Sequence, residues 1–157
     1  MTKEKWIAII FLFLFGGILT WHFISSSPKD TLKEDTNAVG YDPKIKEPEN
    51  FTSNQVALPG FSEIKVKEGD QTATVALANP PFNKVYFKYV VTLNEIKDTL
   101  LETELIAPGK AIKEIPLPKN LSVGIYTVTI VIKTYDMKTK AALNGGANQT
   151  PLIVENS

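Results

Sequence analysis

The sequence predicts one all-β domain, a seven-stranded sandwich of two sheets, preceded by a single N-terminal transmembrane helix. Three observations carry this expectation. Residues 6–24 are apolar and free of formal charge, short apolar runs recur from residue 61 onward with alternation of period two, and clusters of Gly, Pro, Asn and Asp separate those runs.

The leading run WIAIIFLFLFGGILTWHFI holds 19 residues. As a helix it reaches about 28 Å, close to the ~30 Å hydrocarbon core of a bilayer. Ten residues between Ile7 and Leu19 are Ile, Leu or Phe, and each favours insertion by about 0.3 to 0.6 kcal/mol near mid-membrane. A cleavable signal has an apolar stretch of only ~7–15 residues that closes on a small-x-small site. Here the run is longer and closes on Trp21 and Phe23, so it is expected to stay as an anchor rather than be cut near Ser25, Ser26 and Ser27. Trp6 and Trp21 stand at its two ends, as interfacial anchors do. Lys3 and Lys5 precede the span and no charge follows it until Lys29. The positive-inside rule then puts residues 1–5 in the cytoplasm and the C-terminal domain outside a single-pass cell membrane. Gly16, Gly17 and Thr20 offer a small-residue face for another helix, although simple tolerance of glycine in a membrane helix accounts for them as well.

Residues 25–50 mix charge with Pro28, Pro43 and Pro48 and have no apolar period. They read as a flexible stalk with a reach of about 28 Å. Residues 51–157 form the expected ectodomain, enough for one core. Its lysines and acids nearly cancel, and the chain has no arginine. With no strong field and no guanidinium fork, a nucleic-acid reader is excluded. Cysteine is absent too, which removes disulfides, thiolate metal sites and a cysteine nucleophile together. An exported, cysteine-free chain rich in Lys, Asn and Ile has the character of a bacterial surface protein.

Strands are expected at 61–67, 72–78, 84–93, 99–106, 111–117, 125–135 and 152–155. In the third, Val85, Phe87, Tyr89, Val91 and Leu93 share one face; in the sixth, Tyr126, Val128, Ile130 and Ile132 do so. Each sheet therefore has one wet side, and packing two sheets by their apolar faces is the economical solution. The breaks carry turn chemistry at Gly69-Asp70, Asn79-Pro80-Pro81-Phe82-Asn83, Pro108-Gly109, residues 118–124 and Asn144-Gly145-Gly146. Only residues 95–101 invite a helical reading, over a stretch too short to change the class.

Gly124-Ile125-Tyr126 opens the sixth strand. In immunoglobulin-like sandwiches a tyrosine near the start of the sixth strand turns its hydroxyl back to the backbone a few residues upstream and fixes the corner between sheets, so Gly124 and Tyr126 are expected as a structural corner. The strings NPPFNKVYFKYVVTL and PGKAIKEIPLPKNLSVGIYTVTIVIKTYD resemble small membrane-anchored immunoglobulin-like proteins of Gram-positive bacteria, some of them carried with conjugative elements. The resemblance covers about residues 58–154 and rests on Asn79-Pro80, Pro108-Gly109, Gly124-x-Tyr126 and Asn144-Gly145. It implies a seven-stranded immunoglobulin-like β-sandwich in the cell envelope. The inter-sheet disulfide and core tryptophan of antibody domains are missing, so no antigen-receptor role carries over.

The one histidine, His22, belongs to the leading run, which leaves the domain without an imidazole base or ligand. Glu95, Asp98, Glu102 and Glu104 are the carboxylates from which a hydrolase pair would be drawn, and Glu68, Asp70 and Asp136 those for calcium; both sets read as solvated charge. No phosphate loop or cofactor fingerprint is present, so no catalytic, metal or cofactor residue is expected. Pro80, Pro81 and Phe82 form a stiff aromatic turn suited either to a partner or to closing the core. Residues 137–149, with Asn144, Gly145 and Gly146, form a second loop surface where recognition would sit. Edge strands could take a strand from another chain, a tendency that lysines along an edge oppose. The expectation is a non-catalytic interaction or scaffolding module whose partners are other envelope or membrane proteins, such as a surface or conjugation assembly. The alternatives are a carbohydrate-binding module with Tyr86 or Phe82 as an exposed platform, and a carboxylate-dependent wall hydrolase.

Overall fold

Period-two alternation dictates the strands, and their register follows from which face is apolar. A computed structural model describes residues 31–157. The expected cytoplasmic N-terminus, the transmembrane helix at 6–24 and the start of the stalk lie outside the described residues. Among the described residues no helix is long and apolar enough to cross a membrane.

Among the described residues eight strands follow in order: β1 (Val39–Gly40), β2 (Ile64–Lys67), β3 (Thr72–Ala78), β4 (Val85–Leu93), β5 (Asp98–Glu102), β6 (Lys110–Pro116), β7 (Gly124–Asp136) and β8 (Ala142–Glu155). They make two sheets, one of three strands in the order β1-β6-β3 and one of five in the order β2-β8-β7-β4-β5. All pairs are antiparallel except β2 with β8, where Ile64 to Lys67 run parallel to Leu152 to Glu155.

One core lies between the apolar faces. Ala73 and Leu77 of β3 and Ile112 and Ile115 of β6 meet Phe87, Tyr89, Val91, Val128, Ile130, Leu152 and Val154 of the larger sheet. Burying each large side chain contributes about 1.5–3 kcal/mol. Tyr89 is fully buried and its ring stands edge-on to Phe87 and Phe61 at 6.1 and 6.3 Å. Its hydroxyl donates to the Ala78 carbonyl at 2.7 Å, a polar tie from the large sheet to the small one. Burial pushes the Tyr89 hydroxyl far above its ordinary pKa, so it remains a donor.

Three differences from the sequence reading matter. Residues 142–149, expected as loop, are the first part of β8 and pair with β7 from Tyr135↔Ala142 to Thr129↔Gln149. Their small and polar side chains hide the strand, which forms because β7 is itself backed by β4 along Val85↔Asp136 to Leu93↔Val128. Part of the expected stalk is bound to the domain: Val39 and Gly40 pair with Ala111 and Lys110, and Glu34 bridges to Leu105. The expected strand at 99–106 is divided into β5 and isolated bridges at Leu105 and Ile106, because Thr103 turns inward and its hydroxyl accepts from the Tyr89 amide at 2.9 Å.

Candidate functional site

The Asn79-Pro80-Pro81-Phe82-Asn83 turn is held from inside by its two asparagines. Asn79 Nδ2 donates to the carbonyls of Val85 (2.8 Å) and Ile106 (2.9 Å), and Asn79 Oδ1 accepts from Asn83 Nδ2 at 3.0 Å. Asn83 in turn holds the 52–57 segment by accepting from the Ala57 amide and donating to the Ala57 carbonyl. Pro80 is buried, Pro81 is exposed over the Gly109 turn, and Phe82 is half-buried with its ring edge-on to Phe51 at 5.1 Å. The turn therefore presents a proline on a rigid frame, with its aromatic already paired. Sequence reasoning took Asn79 and Asn83 as turn formers and missed that they form the buried network; the signal was two asparagines bracketing a diproline.

At the neighbouring edge, Glu34 binds the domain through its carboxylate. Tyr86 Oη donates to Glu34 Oε1 at 2.7 Å and Lys110 Nζ lies 3.4 Å from Oε2. The Tyr86 hydroxyl is the main cause that holds the Glu34 carboxyl below its ordinary value; burial, next in size, opposes it, and the Lys110 ammonium adds to the lowering. Lys140 Nζ sits 3.4 Å above the Tyr86 ring centroid, a cation–π contact. Asp35 completes the clasp, its Oδ2 accepting from the Glu104 amide and its Oδ1 from the Asn37 amide, both at 2.9 Å. Tyr86 is thus only 7% exposed, and it offers no flat ring to a sugar.

An open cleft of about 490 Å³ lies beside this clasp, lined by Asp35, Val39, Leu101, Glu102, Lys113 and Glu114 among others. Asp35 is occupied by backbone amides, and Glu102 is paired to Lys88 at 2.9 Å. That ammonium lowers the Glu102 carboxyl, and Glu102 raises the Lys88 ammonium. A general acid in a glycosidase needs the opposite, a carboxyl raised toward neutrality. Glu95 is occupied as well, accepting from the Thr127 amide. Among the described residues no group of three or more His, Cys, Asp or Glu is placed to hold a metal. Asp136 instead accepts from the Lys138 and Thr139 amides and the Thr139 hydroxyl, and these bonds, the Thr139 amide first, hold its carboxyl low.

Asn144, Gly145 and Gly146 lie within β8, at a bulge where the register with β7 shifts between Ile132 and Thr134. The Thr134 hydroxyl donates to the Asn144 carbonyl there. A Cβ on Gly145 would collide with the Ile132 carbonyl, so glycine is required by close backbone approach. At Gly146 an added Cβ would meet only Leu58 Cδ1, the end of a side chain. The structure does not bring this stretch together with the diproline turn through any hydrogen bond or ring contact among the described residues.

At the start of β7 the Tyr126 hydroxyl donates to the Ser122 carbonyl at 2.9 Å, four residues upstream, and Gly124 lies against the tyrosine ring. No family model, curated protein or solved structure matches the chain. Function must then be argued from these residues.

Proposed function

We propose that this chain is a single-pass membrane protein presenting a non-catalytic, immunoglobulin-like sandwich outside the cell as an interaction or scaffolding module of the envelope. The observation that carries the reading is the charge-free run at 6–24, long enough to span a bilayer, ahead of the separate unit Leu32–Ser157. The immunoglobulin-like assignment is supported by strand pairing: β3 with β6, β4 with β7, β7 with β8, and β5 beside β4. These correspond to B with E, C with F, F with G, and the added C′ of a variable-type sandwich. The Tyr126 to Ser122 bond supports the same assignment.

An interaction role is favoured over the two alternatives on chemistry. A sugar platform needs an exposed aromatic plane, whereas Tyr86 is covered and Phe82 is half-buried and packed edge-on to Phe51. A wall hydrolase needs a raised carboxyl, whereas Glu34, Glu102 and Asp136 are all lowered. The test is topological. In cells carrying the full chain with a C-terminal epitope, protease added outside should remove the epitope while leaving a cytoplasmic marker intact, and the mature protein should retain residues 1–24. A protected epitope, or a mature N-terminus beyond Ser27, would refute the proposal. Crosslinking in membranes followed by pull-down should then recover a defined protein complex rather than glycan.

A further inference from the structure

We propose that two copies of this chain join through β8, edge to edge about a two-fold axis, with residues 146–150 of each copy antiparallel and Asn148 facing Asn148. The proposal goes beyond the envelope-module reading by naming the surface and the partner, and it holds wherever the chain is anchored.

The backbone shows which groups are free. The Asn94 amide takes the Thr127 carbonyl, so odd residues of β7 bond toward β4 and even ones toward β8. With Ile132↔Gly146, Ile130↔Asn148 and Val128↔Thr150 in register, Gly146, Asn148 and Thr150 are the residues of β8 bonded to β7. Ala147 and Gln149 therefore turn their N–H and C=O groups to the opposite edge. The Glu68 amide bonded to the Glu155 carbonyl gives the same parity from the other side. Among the described residues, β2 covers that edge only from Leu152 to Glu155. Residues 58–63, which would continue β2 upstream, belong to no strand and make no backbone hydrogen bond to β8.

The inward face of the same five residues is incomplete in a second, independent way. Asn148 Oδ1 and Thr150 Oγ1 are the buried side-chain polar atoms without a hydrogen-bond partner among the described residues. Unpaired buried polar groups are costly, about 1–3 kcal/mol each. Both lie in the window whose outward backbone is also unpaired.

Self-pairing fits this window. Residues 141–154 carry no charge, whereas the short β2 edge carries Lys65 and Lys67. Charges and prolines are the usual guards of an edge, and here the Gly145 bulge and Pro151 only bracket the window. A two-fold axis through Asn148 sets Ala147 opposite Gln149 twice, with about four backbone hydrogen bonds over roughly 17 Å. Asn148 then falls in a non-hydrogen-bonded pair, where side chains approach most closely. With each Asn148 amide rotated so that its Oδ1 turns from its buried position toward the axis, the Nδ2 of one copy can donate to the Oδ1 of the other, and the copy then supplies the missing partner. An isologous contact of this kind closes at two subunits.

The full chain in mild detergent should sediment as a concentration-dependent dimer. Ala147→Lys, which brings like charges together across the axis, should weaken association by at least about tenfold, with the β circular dichroism unchanged. Gln149→Lys serves if the first variant misfolds. Because the chain has no cysteine, Asn148→Cys reports the register: Cα atoms about 4.5 Å apart fall within disulfide range, so mild oxidation should give a covalent dimer. Lys119→Cys, in the exposed β6–β7 turn, should not crosslink. A chain that stays monomeric at every concentration overturns the proposal. So does a dimer that survives Ala147→Lys undiminished, which would place the contact elsewhere, or an Asn148→Cys protein that crosslinks no better than Lys119→Cys.

Discussion

Asn79→Ala should be among the most damaging single substitutions in the domain, although residue 79 lies outside every strand. Asn79 is 1% exposed and makes three hydrogen bonds through its side chain. Truncation does not orphan all three partners. The Ile106 carbonyl keeps the Phe87 amide at 3.0 Å, and Asn83 keeps both bonds to Ala57. The Val85 carbonyl faces away from β7, since Tyr86 is the residue bonded to Tyr135, and it loses its partner outright. One N–H of Asn83 is stranded as well. At about 1–3 kcal/mol for each buried unsatisfied group, the expected cost is about 3 kcal/mol, a large share of a typical 5–15 kcal/mol. For a unit of this size that lowers the melting temperature by about 10 °C. Urea unfolding of the full chain followed by circular dichroism gives the number directly, provided the m-value is unchanged. Asn79→Asp keeps the acceptor for Asn83 but sets a carboxylate against two carbonyls, so it should fall at least as far. A loss under about 1 kcal/mol for Asn79→Ala would refute the reasoning and show that the diproline holds the turn unaided.

Two further outcomes follow from the same structure. Gly145→Ala forces a methyl against the Ile132 carbonyl and should cost about 1–3 kcal/mol in the same unfolding assay, whereas Gly146→Ala, which only displaces the end of Leu58, should cost less. The carboxyls of Glu34 and Glu102 are held below the ordinary 4.5, by the Tyr86 hydroxyl and by the Lys88 ammonium respectively. Their stabilisation is complete above the unfolded value and is lost as pH falls through the lowered folded value. Glu34→Gln with Glu102→Gln should flatten the melting temperature against pH below about 4.5, and a curve that keeps its slope would show that other carboxyls carry it.

How far the fold could be read from sequence depended on whether each strand faces the core on its own account. β3 was expected at its observed bounds, and β4, β6 and β7 within a residue, because alternate Val, Ile, Phe and Tyr side chains of these strands meet the core. The first part of β8 was illegible for the converse reason. Ala142 to Gln149 contribute almost no apolar surface, and their strand geometry comes from the long β7 beside them. The binding of residues 34–41 was equally hidden, because it depends on single polar atoms of Glu34 and Asp35 whose partners lie 52 and 69 residues away. The diproline turn was visible, but its support was not: a buried asparagine pair and a pair of turn asparagines look alike until long-range carbonyls are in place. Tyr126 was legible because its hydroxyl reaches only four residues back.

The parallel pairing of β2 with β8 has a mechanical consequence. The chain enters β2 at Ile64 and leaves β8 at Glu155, and in a parallel pair these points lie at opposite ends of the shared ladder. Once the clasp at residues 34–41 has given way, tension between the two ends of the polypeptide pulls the strands past each other, loading the rungs simultaneously rather than peeling them one by one. A body tethered on one side and gripped on the other would resist stretching through this short seam, and the seam would yield abruptly.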